Sequence, residues 1–427
     1  MRHVRIFEYD SLKRDISPAQ LGRLKRFDDS FVRQEGNSRI FDWNTCKATS
    51  YVGVIMIPGL CLEILPKIDR QGSESLAQKN LLYMLSLTRK LPIEERDLAG
   101  LENKNLPLLE SLITIFVQRL LDEFRKGLDH SYIHHEENLP ILKGKLLFTE
   151  HIRHNTAHNE RVFVGYDDFV ADTPINRIFK AACRRLLAMT PTASTQKLLR
   201  EALAVLDEIR DCVVGRHDFD TIHLTWNNER FRPLLAFCRL VIFGQSPAPE
   251  VGKDQTFSLL FPMEKLFEEF VAAFICRHRV ALDLADAQIH VQGRRGSEYL
   301  LKRMDGQDKF LLKPDIIIEK PERIIIDTKW KHLKTIDEDK KNGISQSDIY
   351  QLYAYANRYH CSRNVLLFPK IAGVDPQYFW LNGGNRQAEE KCIHVEFINL
   401  HRNLRKHTHE LKEELSGIIN RTAHGIG

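Results

Sequence analysis

Apolar and polar positions change their period several times along the chain, and each change predicts an element. Tyr51-Val-Gly-Val-Ile-Met-Ile57 and Leu60-Cys-Leu-Glu-Ile-Leu65 are apolar runs around Pro58-Gly59, a turn signal, and read as two short strands. From about residue 76 the spacing becomes helical. Leu81, Leu82 and Leu85 begin one helix, and Leu112, Ile115, Phe116 and Leu120 mark a second that ends near Gly127. Strand-like pieces return at Leu139–Phe148 and Arg161–Gly165. Helices follow over about Pro174–Leu187 and Ser194–Arg210, with another helical piece at 227–243. Beyond Pro262 the positions Met263, Leu266, Phe267, Phe270, Val271 and Phe274 form one apolar stripe, and proline suits a first helical turn. A hairpin over 310–330, a helix over about Gln346–Tyr359, strands near 364–368, 377–381 and 393–399, and a charged helix complete the pattern.

These elements predict an α+β multidomain chain. Residues 1–75 form a β-rich N-terminal module, 76–250 a mixed helical and β domain, and 251–427 an α/β domain with a central mixed sheet flanked by helices. The expected linker is Gly244–Gly252, with two prolines and two glycines. Basic and acidic residues alternate near Lys331–Lys341 and suggest a solvated loop.

Composition narrows the class. At 427 residues, 43% apolar and 28% charged, the chain reads as globular with more than one domain. The net charge of +5 is compatible with nucleic acid but does not argue for it alone. Eight cysteines are scattered without a CxxC pair, most in apolar runs such as those of Cys183 and Cys276, and read as reduced core residues. The N-terminal residues lack the apolar core of a signal peptide, and no uncharged apolar run approaches the ~20 residues that span a bilayer. The expectation is a cytoplasmic protein without membrane contact.

The candidate chemistry lies in Lys313–Lys329. This stretch reads as two apolar strands joined at Pro321. Asp315 and Asp327 are equidistant from Pro321, so they face each other in a hairpin centred there. Asp327 and Lys329, at i and i+2, share a face. Ile316–Ile318 and Ile324–Ile326 mark the strands as buried on both faces, where ionised groups are costly unless paired or metal-bound. Asp315 and Asp327 are therefore candidate Mg2+ ligands, with the Thr328 carbonyl a further oxygen. Lys329 orients the attacking water or stabilises charge on the phosphate.

Pro314-Asp315 followed by Asp327-Thr328-Lys329 resembles the PD-(D/E)xK nuclease superfamily. That resemblance implies further site residues. Glu268, in Leu266-Phe-Glu-Glu-Phe270, matches the acidic residue that often completes the metal shell, and Glu264 one turn earlier could substitute. Gln351-Leu-Tyr-Ala-Tyr355 looks like the QxxxY element of RecB-like nucleases, which implies a site role for Gln351.

Over about residues 50–400 the chain resembles the McrC family, the nuclease subunits of McrBC-type modification-dependent restriction systems. Pro58–Lys67, Leu82-Tyr-Met-Leu85, Leu142–Phe148 and Asn176-Arg-Ile-Phe-Lys180 carry the likeness. The resemblance implies a DNA endonuclease that cuts modified DNA, such as DNA bearing 5-methylcytosine, in antiviral defence. Its N-terminal part would dock onto and stimulate a hexameric McrB-like AAA+ GTPase. Two copies would serve two strands, and residues 1–75 would form an extra module. The chain has no GxxxxGK[ST] loop, so GTP belongs to the partner. Two rivals share these residues: a stand-alone RecB-like repair nuclease, and an AAA+ adaptor whose nuclease site is spent.

Weaker candidates surround this set. His151, His154 and His158 have metal-ligand spacing, but Asn155, Thr156 and Asn159 suggest a polar loop. His134-His135 is similar. Trp330, Tyr350, Tyr353, Tyr355 and Tyr359 flank the site; contact with DNA is one reading, and core packing is the expected one.

Overall fold

The computed structural model describes residues 2–33, 37–68, 73–101, 106–156, 160–244, 256–292, 298–320, 322–331, 343–381 and 391–421. The first third holds β1 (Arg2–Phe7), α1 (Pro18–Val32), β2 (Phe41–Asp42), β3 (Lys47–Ala48), β4 (Tyr51–Ile57), β5 (Leu60–Leu65), α2 (Glu74–Thr88), α3 (Glu95–Ala99) and α4 (Leu108–Arg125). Next come β6 (Ser131–Leu139), β7 (Lys145–Leu146), α5 (Phe148–Asn155), β8 (Val162–Val170), α6 (Pro174–Met189), α7 (Ala193–Val205), α8 (Arg216–Asp220) and α9 (Arg232–Phe243). The last part holds β9 (Phe257–Pro262), α10 (Met263–Arg277), β10 (Gln288–Val291), β11 (Glu298–Lys302), β12 (Asp308–Leu312), β13 (Ile316–Glu319) and β14 (Arg323–Thr328). It ends with α11 (Gln346–Arg358), β15 (Arg363–Pro369), β16 (Gln377–Trp380), β17 (Cys392–Ile398) and α12 (Thr408–Asn420). The class is mixed α+β with several sheets.

The chain divides into two compact units. One joins Met1–Leu108 to Gln245–Gly427, and the other is Leu109–Gly244. This corrects the boundaries expected at residues 75 and 250. The first falls inside α2. The second was drawn as though residues 251–427 stood alone, but β9 is the edge strand of the N-terminal sheet, whose order is β1-β5-β4-β9. β4 and β9 run antiparallel with Gly53 opposite Leu260. Gly53 has φ +133, and a Cβ there would lie 1.9 Å from the Leu259 carbonyl oxygen, so this close approach requires glycine.

The expected linker Gly244–Gly252 lies outside the described residues except for Gly244, which ends α9 with φ 64. The expected loop at Lys331–Lys341 lies outside them beyond Lys331, as do Pro321 and His158.

Residues 1–75 are also less purely β than their pattern suggests. Ser17 and Gln20 form a capping box on α1 with Pro18 in the first turn. Leu24, Phe27 and Phe31 of α1 pack into one core with Val4, Ile6, Ile55, Leu62 and Leu260 of the N-terminal sheet.

The second sheet of this unit is six-stranded and mixed, in the order β10-β13-β14-β15-β17-β16. β13 and β14 are antiparallel, while β14, β15 and β17 run parallel. Helix α11 buries Leu352 and Tyr355 against Ile317, Ile325, Leu366 and Val395 of the sheet. α10 packs on β14 and on α2, where Tyr83 and Phe270 meet edge to face at 6.1 Å. Asn80 of α2 donates to the Leu400 and Arg402 carbonyls at 2.9 Å and accepts from the Leu404 amide at 3.0 Å. These contacts tie α2, expected to belong with residues 76–250, to the C-terminal sheet. The predicted hairpin at 310–330 begins later than expected, because β12 pairs with β11 instead.

The unit Leu109–Gly244 packs α4, α6, α7 and α9 beside a three-stranded sheet in the order β6-β8-β7. Phe116 stacks on Phe237 at 4.7 Å, and Phe179 meets Phe124 and Phe231 edge to face.

All eight cysteines are free thiols. Cys183 is buried, but Cys276 is exposed on α10, which corrects its reading as a core residue. Among the described residues no helix is long and apolar enough to cross a membrane.

Candidate active site

The register of β13 and β14 assembles the site. Ile316 lies opposite Ile326 and Ile317 opposite Ile325. Asp315 immediately precedes β13 and Asp327 immediately follows Ile326 in β14, so the two aspartates lie one step beyond this pair. Asp315 Oδ2 accepts from the Thr328 amide at 2.7 Å and from the Thr328 hydroxyl at 2.8 Å. Thr328 therefore holds the first aspartate in place across the two strands.

Asp327 is 1% exposed. Lys329 Nζ lies 2.6 Å from its Oδ2, an ion pair outside hydrogen-bond geometry, and both carboxylate oxygens are buried without a hydrogen-bond partner. Lys329 continues the parallel ladder by donating its amide to the Leu367 carbonyl at 2.9 Å. Its ammonium also donates to Gln351 Oε1 at 3.3 Å. Gln351 Nε2 donates to the Tyr355 hydroxyl at 2.7 Å, which donates to the Lys313 carbonyl at 3.0 Å. One turn of α11 is thus joined to both ends of the hairpin.

The electrostatics follow from burial. Asp315 is pushed up to about 6, first by burial and then by the charge of Glu268. Asp327 is pushed up to about 6 by burial and then by Asp315. Burial works against the Lys329 ammonium, but Asp327, Asp315 and Asp348 together outweigh it and hold its pKa above the ordinary value. Glu268 is half-buried on α10 and raised by burial, opposed by a hydrogen bond from Gln292. Among the described residues no three His, Cys, Asp or Glu side chains come close enough to hold a metal ion together. Glu268 lies close enough to Asp315 to raise it by its charge. Glu264 is exposed.

Sequence reasoning missed Asp348 and Lys331. Asp348 is 5% exposed, bonds Lys331 Nζ at 3.0 Å, and raises Asp327 further by its charge. Its signal was Ser345-x-x-Asp348, the N-cap of α11. Glu8 was also missed; it accepts from Trp330 Nε1 at 2.9 Å. Trp330, Tyr355 and Tyr359 are buried as expected, whereas Tyr350 and Tyr353 are exposed on α11.

Among the described residues the other histidines do not form a metal centre. His151 and His154 lie on α5, not in a polar loop, and His134 pairs with Asp167 at 2.7 Å.

A family model described as McrBC 5-methylcytosine restriction system component matches residues 46–369. A curated relative, the type IV methyl-directed restriction enzyme EcoKMcrBC of Escherichia coli K12, is 22% identical over 351 residues, covering 75% of this chain and 96% of that protein. A chain from a half-complex of Thermococcus gammatolerans McrB AAA+ hexamers with bound McrC superposes with a TM-score of 0.73 at 22% identity. The match covers 96% of this chain and all (100%) of that one. A chain of the cryo-EM structure of the T. gammatolerans McrBC complex gives 0.55 at 27% identity, over 65% of this chain and 88% of that one.

Proposed function

The chain belongs to the McrBC 5-methylcytosine restriction system component family, and from that premise we propose that it is the DNA-cutting subunit of such a system. In this reading it is a Mg2+-dependent endonuclease whose C-terminal sheet is a PD-(D/E)xK domain. The observation that carries the reading is Asp327. It is buried and faces a second aspartate, and the Lys329 ammonium 2.6 Å away balances only one of the two carboxylates; the remaining negative charge is costly there unless a further cation completes the pair. The available donors are oxygens, which suits Mg2+.

Asp315 and Asp327 would hold the ion, and the Thr328 carbonyl is a further candidate ligand. When bound there, Mg2+ supplies Lewis-acid activation of a water and neutralises charge on the phosphate. Thr328 fixes the rotamer of Asp315. Lys329 presents its ammonium to the scissile phosphate, steadied by Gln351 and Asp327. Glu268 adds negative charge that favours a cation over an empty pair of carboxylates.

The unit Leu109–Gly244 supports a docking role. Tyr132 and Phe169 on β6 and β8, Ile141 and Leu142 between β6 and β7, and Phe148 and Ile152 on α5 are all exposed. Such a surface suits the McrB-like AAA+ GTPase hexamer of the solved relatives. The partner would read the modified base and hydrolyse GTP, while this chain contacts mainly phosphate. Cutting both strands of double-stranded DNA calls for two copies in the assembly, working in the cytoplasm.

The test is reconstitution with a GTPase subunit of the family, GTP, Mg2+ and methylated plasmid. The wild-type chain should linearise methylated plasmid and spare unmethylated plasmid. Asp327→Ala should bind the partner and cut neither. Cutting by Asp327→Ala at more than a few per cent of wild type contradicts the site.

A further inference from the structure

Contacts from outside the C-terminal sheet reach the candidate active site. Glu8 lies just past β1 and is fully buried. Its Oε1 accepts from the Lys67 amide at 2.8 Å and from Trp330 Nε1 at 2.9 Å. Trp330 is 4% exposed and directly follows Lys329. Its ring lies 5.3 Å from that of Phe267, the neighbour of Glu268. The N-terminal sheet reaches the same helix by a second route, since β9 runs into α10 and the Met263 amide donates to the Ser50 carbonyl at 2.8 Å.

A carboxyl is a costly choice at the Glu8 position. Its Oε2 is buried with no hydrogen-bond partner. Burial, opposed by the Lys67 amide and the Trp330 indole and assisted by the charge of Glu264, pushes its pKa up to about 8. A role in packing alone would be met by an apolar side chain without an orphaned oxygen. What a carboxyl adds is one oxygen that accepts both from the Lys67 amide, just past β5, and from the Trp330 indole, just past β14.

We propose that Glu8 is a positioning residue for phosphodiester cleavage, holding Trp330 so that the Lys329 ammonium stays seated against Asp327. This rests on the nuclease reading above. The segment 329–331 leaves the sheet after Thr328 and is secured on both sides of its lysine. Trp330 is held by Glu8 and Phe267, and Lys331 is held by Asp348. With both neighbours fixed, the Lys329 side chain has one course, into the site. The N-terminal sheet is then a structural half of the nuclease and not an appended module. A catalytic group misplaced by about 1 Å can cost on the order of a hundredfold in rate, so loosening this clamp should register in turnover.

The experiment uses the full chain with its family's GTPase subunit, GTP, Mg2+ and methylated plasmid. Trp330→Phe keeps a ring against Phe267 but removes the indole donor. Glu8→Gln keeps the accepting oxygen, and Glu8→Ala removes it. The expected result is a roughly tenfold lower kcat for Trp330→Phe and Glu8→Ala with KM for DNA unchanged, and Glu8→Gln within about twofold of wild type. Activities are expressed per folded molecule, from a melting curve of each variant. If Glu8→Ala does not fold, Trp330→Phe and Glu8→Gln decide. Wild-type kcat in Trp330→Phe, or a Glu8→Gln as impaired as Trp330→Phe, overturns the proposal. A loss accounted for by the folded fraction overturns it too. Asp327→Ala runs alongside: if it is inactive while Trp330→Phe is wild type, only the Glu8 assignment fails. If Asp327→Ala cuts normally, the nuclease reading fails and takes this inference with it.

Discussion

Asp327→Asn keeps the shape of the most buried carboxylate in the site and removes its charge. In the folded protein the Asp327 pKa rises from 3.8 to about 6. At about 1.36 kcal/mol per unit, that shift corresponds to about 3 kcal/mol acting against the folded state once the group is ionised. The folded pKa of this acid lies above the unfolded one, so the folded state holds more protons between about pH 4 and 6. Stability is greatest below the unfolded pKa, falls as pH rises through about 6, and is level above it. Attraction to Lys329 is already contained in the shift, and Asp315 shares the repulsion, so relief at one aspartate eases the other. Without divalent metal at pH 7.5, Asp327→Asn should therefore be more stable than wild type by about 2–3 kcal/mol. This corresponds to a melting temperature higher by about 3–5 °C for a unit of this size. The gap should close toward pH 4. Added Mg2+ should raise the wild-type melting temperature and leave the variant nearly unmoved, because only the wild type gains a ligand for its folded state. The assay is a melting series in EDTA and in Mg2+ from pH 4 to 8. A variant no more stable than wild type at pH 7.5, with the same pH dependence and the same Mg2+ response, would refute the argument that this aspartate is a charged, metal-seeking group.

Lys329→Ala and Lys329→Arg should each lower Mg2+-dependent cutting by roughly a hundredfold or more, because a guanidinium does not reproduce a compact ammonium; near-normal plasmid linearisation by the arginine variant would count against the role. Gln351→Ala should lower kcat by about tenfold with little change in melting temperature, since it frees Lys329 from its second partner; an unchanged kcat would show that the amide is a bystander. At limiting Mg2+, cutting should decline roughly tenfold per unit as pH drops below about 6, where protons compete with the metal for Asp315 and Asp327; a flat profile down to pH 5 would contradict this. Phe148→Asp with Ile152→Asp, at positions 70% and 65% exposed, should leave the melting temperature alone but abolish stimulation of the GTPase; full stimulation would move the docking surface elsewhere.

The hairpin was legible because two isoleucine triplets about a short connection mark the paired strands. Because both faces are buried the triplets alone admit a one-residue slip, and Asp315 accepting from Thr328 across the strands pins the register. Asp315 and Asp327 are thereby brought opposite, and Lys329 follows Asp327 by the strand period. The helix α10 was legible for the corresponding reason, an apolar stripe with a clear start at Pro262.

Sequence alone did not reveal how distant segments join. β9 is a short apolar run that reads equally as a lead-in to α10; only its pairing with β4, through the bare backbone of Gly53, makes residues 1–108 and 245–427 one unit. Glu8 stands more than three hundred residues from Trp330, and no local pattern links a carboxylate after a strand to an indole in another sheet. The distance of Glu268 from the aspartates was not legible either, because helical spacing sets the face a side chain occupies and not its distance from a neighbouring strand. Periodicity is a local property and determines elements. Which elements share a core depends on long-range burial, and that was decided only when the chain closed on itself.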